Sequence, residues 1–362
     1  MRLLQIATFY PAYLADFDRK HPIFPSYEKR LEALLDDRFN ATHILEPIQK
    51  NEPWARLIIG NDLTGQQLWA KSKNIPFTTL HDVALAQIEE HQPDVVYTLN
   101  PKIFDSNFVR RLPGCVKKTI CWLAAPQDSA DLSAFDLRVC NFPHILEGWR
   151  AEGQRAEWLS PAHDPEMDSY AANTDRPIDI AFAGQFSPNH KTRNALLESI
   201  AALGKKYKVA FALLHPRFAR LGDRGLASRI ILPWPHLPSA LRKVAIPAAF
   251  GRSLYQLFGQ SKIVFNAAIE MAGQYRGNMR CFEALGCGAG MVSDDGIYPE
   301  HFSPGAHFLT FTSPEHALEA LEELLRDPGR RQEITQAGRA SIKQNYSKRH
   351  QWETFQQLVH SI

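Results

Sequence analysis

Short, predominantly apolar runs recur along this chain, and each one closes on a loop: "LLQIATF" (3–9), "DVVYTL" (94–99), "KKTICWLAAP" (117–126) and "FDLRVCNFP" (135–143). A strand buried on both faces reads as such a continuous run, whereas a half-exposed strand alternates. Between the runs lie segments with apolar residues at helical spacing, such as Val83, Leu85 and Ile88 ahead of Pro93. Strand–helix–strand alternation leaves few solutions, and the simplest is a mostly parallel sheet covered by helices on both faces. The chain is therefore of the α/β class. The aromatic-rich segment "YPAYLADFDRKHPIFPS" (10–26) reads as a loop after the first strand, followed by a helix near 26–38, and residues 40–76 show no clear period.

The alternation breaks once. "SPAHDPEMDSYAANTDRPIDIAFAG" (160–184) is rich in Pro, Asp, Ser and Asn before a new strand begins at Ile178. A length of 362 residues exceeds one comfortable core. The expected division is a first domain over 1–168 and a second over 169–345, with residues 346–362 as a terminal helix. In the second half, strands are expected at 178–183, 207–213, about 228–232, 262–266 and 289–293, with helices at about 190–203, 252–260 and 278–286. The remainder is nearly all helix, broken at Asp327–Gly329 and near Asn345. "LPWPHLPSALRKVAIPAAFG" (232–251), with its four prolines, reads as an ordered loop or broken helix that could form a lid.

Charge and cysteine usage narrow the partners. Lys and Arg total 41 against 39 Asp and Glu, a net charge of +2 that argues against nucleic acid. The five cysteines lack metal-type spacing and read as reduced thiols of a cytoplasmic protein. The opening "MRLLQIATFYP" is too short an apolar run for a signal peptide or membrane span. Membrane contact is expected to be peripheral at most, at the inner face.

Two strand–loop–helix units could carry chemistry. In "DIAFAGQFSPNHKTRNALL", Gly184 ends a strand, and His190 and Arg193 open the following helix. A helix start with free N–H groups and a nearby arginine suits a diphosphate. The alternative is that Ser187 and Asn189 cap the helix and the basic residues are solvated. In "SKIVFNAAIEMAGQYRGNMRCFEALG", Lys262 opens a strand, Asn266 closes it, and Arg280 and Glu283 share a helix face. Either they form an intrahelical ion pair, or Glu283 accepts from the two hydroxyls of a ribose while Arg280 or Lys262 meets phosphate. No GxGxxG fingerprint occurs.

The stretches "DIAFAGQFSPNHKTR", "SKIVFNAAIE", "GNMRCFEALGCGAGMVSD" and "RDPGRRQEITQAGRASIKQNYSKRH" together resemble group-1 glycosyltransferases, and most closely the CgeB-like (spore-maturation-protein-like) branch. "FDLRVCNFPHILEGWRAEGQRAEWLSPAHDPE" in the first half resembles the same branch, so the likeness spans roughly residues 90–350. It implies a GT-B fold, two facing Rossmann-like domains with a cleft between them, and a final helix crossing back to the first domain. It further implies a nucleoside diphosphate sugar as co-substrate, with no other cofactor and no metal. Glu283 matches the family's ribose-binding glutamate, and Gly184, His190 and Arg193 match the phosphate-facing loop and helix start. Lys262, Tyr275, Asn278 and Arg280 complete the expected donor site. Tyr275 stands where many members carry a second, sugar-contacting glutamate, which leaves the donor sugar and the stereochemical outcome open.

A base for an inverting reaction is expected from first-domain loops: Asp128 after "TICWLAAP", then Asp16 and His21, with Asp18, Asp131 and His144 as further candidates. The acceptor stays open among a glycan, a lipid-linked sugar, a protein and a small molecule. Two competing readings are a sugar-nucleotide epimerase or hydrolase on the same scaffold, and a non-catalytic assembly or coat protein.

Overall fold

Sheet topology explains most of the architecture. The computed structural model describes residues 1–124, 130–186, 190–214, 237–268 and 272–362. Asp128, the Ser187–Asn189 stretch and the strand expected at 228–232 lie outside them. The chain divides into two units, Met1–Pro161 with Lys348–Ile362, and Ala162–Ser347. The division falls at 161/162, where the sequence suggested 168/169.

In the first unit, β1 (Leu3–Ala7) lies between β2 (Ala55–Ile59) and β3 (Val95–Thr98). The sheet continues through β4 (Lys118–Trp122), β5 (Leu137–Cys140) and β6 (Ala156–Trp158), and every pairing is parallel. All five residues of β1 are buried; four are apolar, and the fifth, Gln5, donates to the His43 carbonyl and accepts from the Leu45 N–H. The segment read as a loop after β1 is instead helix α1 (Pro11–Lys20). Its proline sits at the first helical position, where no N–H is needed, and Tyr13, Leu14 and Phe17 form its buried side. The unusual aromatic and proline content concealed an ordinary amphipathic period. Helices α2 (Tyr27–Asp36) and α3 (Glu46–Gln49) precede β2, and α4 (Leu63–Ser72) follows it. α5 (Leu80–His91), α6 (Ser106–Val109) and α7 (Pro143–Ala151) complete the connections.

The second unit carries its own six-stranded parallel sheet: β7 (Ile178–Gln185), β8 (Val209–Leu214), β9 (Ala245–Pro247), β10 (Ser261–Asn266), β11 (Gly290–Asp294) and β12 (Leu309–Phe311). Their spatial order is β12-β11-β10-β7-β8-β9. The proline-rich segment read as a possible lid supplies the short helix α10 (Ser239–Val244) and edge strand β9. Pro247 is tolerated there because an edge strand has one side with no ladder to donate to. The remaining helices are α8 (Met167–Ala171), α9 (Lys191–Ala202), α11 (Gly251–Gly259), α12 (Met279–Gly286), α13 (Pro314–Arg326) and α14 (Pro328–Asn345). Arg176 ties several of them together without a carboxylate. Its guanidinium donates to the carbonyls of Phe258, Ser261, Ala171 and Cys287, oxygens at or just beyond the carboxyl ends of α11, α8 and α12.

The last helix, α15 (Lys348–Ser361), belongs to the first unit. Lys348 is buried, and its Nζ donates to the carbonyls of Ala41 and Ile44 at 2.6 and 2.8 Å and to Gln351 Oε1 at 3.2 Å. Gln351 donates in turn to the carbonyls of Thr42 and Ser160. Phe355 packs against Tyr97, with ring centroids 5.0 Å apart. Replacing Lys348 by methionine keeps the stem but leaves the Ile44 carbonyl without its donor, while the Ala41 carbonyl keeps the Ile44 N–H and Gln49 Nε2. Lys348→Met is expected to lower stability by about 1–3 kcal/mol. Denaturant unfolding of the full chain reads this directly, and an unchanged midpoint and slope would dismiss the anchor.

Candidate functional site

The strand order of the second unit fixes where a ligand can enter it. From β7 the chain winds outward through β8 and β9, then returns to the other side of β7 with β10. The connections on the two sides of the β7/β10 pair therefore leave in opposite directions, opening a crevice at the strands' carboxyl ends. Gly184 and Gln185 end β7, and Asn266 ends β10. Residues that emerge here are the ones a ligand would meet.

Two helices begin at this edge. Helix α9 has His190 as its N-cap residue and α12 has Asn278; neither side chain caps a backbone N–H of its own helix, Asn278 Oδ1 accepting instead from the Cys281 thiol at 3.6 Å. Helices α2, α5 and α13, by contrast, are capped by Ser26, Thr79 and Ser313. First-turn N–H groups without a side-chain acceptor remain available to an anion. Gly277 shapes the entry into α12. Its φ of +107° suits glycine, and a Cβ there would lie 2.5 Å from Pro299.

Glu283 sits one turn into α12 and is 5% exposed. Burial lifts its carboxyl pKa above the ordinary range, and the charge and hydrogen bond of Arg280 oppose that rise. Arg280 Nη1 donates to Glu283 Oε2, while its Nε donates to the carbonyl of Ala183 at 3.3 Å. One arginine thereby joins the carboxylate on α12 to the end of β7. The intrahelical ion pair considered from the sequence exists, but its carboxylate is buried, its arginine is half-buried, and the arginine joins it to the sheet.

Neighbouring polar groups brace the same edge. Asn266 is buried; its amide donates to Ser293 Oγ at 3.0 Å and its carbonyl accepts from Asn278 Nδ2 at 3.3 Å. Arg276 pairs with Asp294 at 2.5 Å, and Asp294 Oδ1 accepts from the Ala268 N–H. Tyr275 lies in the turn before α12 and bridges to Ile297. Arg276 and Ser293 were not singled out from the sequence. The signal available was a cation beside a glycine turn, facing an acid at a strand end.

The expected residues divide accordingly. Gly184, His190, Tyr275, Asn278, Arg280 and Glu283 all belong to segments that meet the β7/β10 edge. Arg193 is there too, but largely buried; its Nη2 donates to the Gln185 carbonyl at 2.6 Å and its guanidinium lies 6.0 Å from the Phe182 ring centre. It ties α9 to β7. Lys262 does not join the group. It sits at the amino end of β10, paired with Asp179 at 2.6 Å. Asn266 lies four positions further on, roughly 13 Å along a strand. Placing Lys262 at a phosphate is corrected by that register.

In the first unit, Asp16 lies on α1 and pairs with Arg19 and Lys20 of the same helix. His21 is exposed just beyond α1, with its ring near Phe17. Asp18 pairs with buried Arg30, and Asp131 with Arg110. His144 lies in the first turn of α7, and His163 is buried in the second unit beside Asp168. Among the described residues, no group of three or more His, Cys, Asp and Glu could hold a metal ion, and no helix is long and apolar enough to cross a membrane.

The family described as "Glycosyl transferase-like" matches residues 193–357, a span containing Arg193, Arg280 and Glu283. No curated protein matches the sequence. Among solved structures, HepE of Anabaena in complex with UDP and glucose aligns over 100% of both chains, with a TM-score of 0.62 and 10% identity. A glycosyltransferase from Rickettsia africae gives a TM-score of 0.57 at 10% identity, covering 98% of this chain and 97% of that one. Sucrose-phosphate synthase from Thermosynechococcus elongatus gives 0.54 at 9% identity, covering 100% and 99%. The likeness is one of fold: two parallel-sheet, Rossmann-like domains of the GT-B fold.

Proposed function

We propose that this GT-B-fold chain transfers a sugar from a nucleoside diphosphate sugar, with uridine diphosphate as the leaving group, to an acceptor hydroxyl. The observation that carries the proposal is the buried Glu283 carboxylate, paired with the half-buried Arg280 at the β7/β10 crevice. Burying a carboxylate is costly, and a helix-face ion pair has no need of it. A buried carboxylate beside a helix N-terminus has acceptor capacity for a vicinal diol and leaves the N–H groups for phosphate. The choice of uridine follows the UDP and glucose bound by HepE, to which this chain is similar in fold.

In this reading Glu283 holds the ribose. Arg280 and the first turns of α9 and α12 stabilise charge as it builds on the departing diphosphate, without a metal. Gly184 keeps the end of β7 open, because a Cβ there would lie 2.8 Å from the Phe182 ring. His190, Asn278 and Tyr275 line the approach to phosphate and sugar, and Arg193 holds α9 in place. The acceptor and its base are assigned to the first unit, with Asp128 ahead of Asp16 and His21. The CgeB-like branch and a cytoplasmic location belong to the same proposal.

Calorimetric titration with uridine, thymidine, guanosine and adenosine diphosphates tests the core of it. Saturable binding of uridine diphosphate is expected, and folded protein that binds none of the four would end the proposal. Glu283→Gln is expected to weaken that binding about tenfold or more, equivalent to roughly 1–3 kcal/mol for one lost charge-assisted bond. Parent-like affinity in Glu283→Gln would remove the ribose role while leaving the phosphate role standing.

A further inference from the structure

A cavity of about 300 Å³ opens in the first unit between β2 and helices α2, α4 and α5. That volume lies at the lower end of small-molecule sites. Its position is unusual for this class of fold. Leu4 and Arg56, which line it, are the second residues of β1 and β2, so it lies toward the amino ends of the strands. Ligands of open α/β sheets normally sit at the opposite edge.

The lining states what the cavity can hold. Leu57 and Ile58 of β2 and Trp69 of α4 give it an apolar wall, and Gln87 of α5 and Tyr27 of α2 bring polar groups. Gln87 is 5% exposed; its side chain meets the Tyr27 hydroxyl, while its Oε1 is buried with no hydrogen-bond partner. A buried amide oxygen left in that state is costly unless something donates to it. At the mouth, Glu90 pairs with both Lys73, at 2.6 Å, and Arg56, at 3.2 Å, and Glu28 adds a second carboxylate. Two cations and two carboxylates leave the rim without net charge. An ionic ligand would have to break the Glu90 pairs to find its counter-charge, whereas a neutral one would not. The cavity thus asks for an uncharged molecule with an apolar face and several O–H donors.

We propose that this cavity is a second binding site, for a neutral sugar ring of monosaccharide size. The ring rests against the apolar wall of Leu57, Ile58 and Trp69, beside the Lys73 ammonium that lies 5.9 Å from the Trp69 ring centre, and donates one hydroxyl to Gln87 Oε1, with further hydroxyls toward the carboxylates of the rim. The proposal goes beyond nucleotide-sugar transfer and does not depend on it, because every residue it uses belongs to the first unit.

The test is a titration of the full chain with glucose, galactose and N-acetylglucosamine, read by saturation-transfer NMR, with and without excess uridine diphosphate. Uracil and inorganic phosphate serve as probes of other chemistry. Saturable binding of at least one sugar, unaffected by the nucleotide, is expected. Gln87→Leu should weaken that binding about tenfold or more, while its melting temperature stays level or rises because the orphan oxygen is gone. Gln87→Glu keeps an acceptor oxygen in place and should retain binding within a few-fold. Absence of sugar binding, equal affinity in Gln87→Leu, equal loss in both variants, or binding of uracil or phosphate in place of sugar would each overturn the proposal. Loss of uridine diphosphate binding alone would bear only on the transfer reaction.

Discussion

Arg280→Met is expected to weaken uridine diphosphate binding by about 10²-fold or more and to destabilise the second unit by about 3 kcal/mol at neutral pH. The substitution keeps a long side chain but leaves Glu283 buried without its cation. With Arg280 gone, burial alone acts on the carboxyl, and its pKa rises further. In the unfolded chain the same group titrates near 4.3. The folded form then binds more protons than the unfolded form between those two values, so stability falls as pH rises through that window. The variant should be most nearly parental in acid and weakest above the raised folded pKa. Thermal unfolding at a series of pH values, compared with the Arg280→Met/Glu283→Gln double variant, checks this. The double variant should lose the added pH slope. An equal slope in both proteins would mean that Glu283 is not the titrating group.

Asp62→Ala should lower the stability of the first unit by about 3–5 kcal/mol, enough to unfold many domains near body temperature. Arg30, 1% exposed, donates from Nε and Nη2 to the two carboxylate oxygens of Asp62 at 2.7 and 2.6 Å, and it meets Asp18 at 2.7 Å. Burial acts to lower the Arg30 pKa, but Asp62 and Asp18 together hold it raised, so the guanidinium stays charged. The packing leaves no slack, because a Cβ at Gly65 would fall 2.2 Å from Asp62 Oδ2. Removing Asp62 leaves a buried cation with only the part-exposed Asp18. The paired replacement Arg30→Met/Asp62→Leu removes both charges and should recover most of the loss. Urea unfolding of the single and double variants decides the matter. A single variant within 1 kcal/mol of the parent would show that water or Asp18 replaces the lost carboxylate.

The sequence carried the α/β class because parallel strands buried on both faces are predominantly apolar, as are the centres of "LLQIATF", "DVVYTL" and "SKIVFN". It carried the Glu283 helix for a related reason. An acid among Cys281, Phe282, Ala284 and Leu285, all buried, is out of place unless it has a task. It did not carry α1, whose prolines and aromatics imitate a loop, nor β9, where three residues owe their strand state to the neighbouring β8. A three-residue edge strand has almost no periodicity of its own, and its partner's hydrogen bonds decide its conformation.

Lys262 and Arg280 show what composition and spacing determine alone, and what they leave to the tertiary structure. Both are cations next to apolar segments of the same half of the chain, and the sequence offers no ground for separating them. Their local states, the opening of a strand and the first turn of a helix, are fixed by short-range pattern. Which edge of the sheet each one occupies is fixed only when β10 pairs in parallel with β7, setting Ser261 beside Ile178 and Lys262 against Asp179. That pairing carries Lys262 to the amino edge and returns α12, with Arg280, to the carbonyl of Ala183 at the other. Register is a long-range property, set by hydrogen bonds between segments some 80 residues apart. The residue types were legible along the chain; the edge at which each side chain stands came from the sheet.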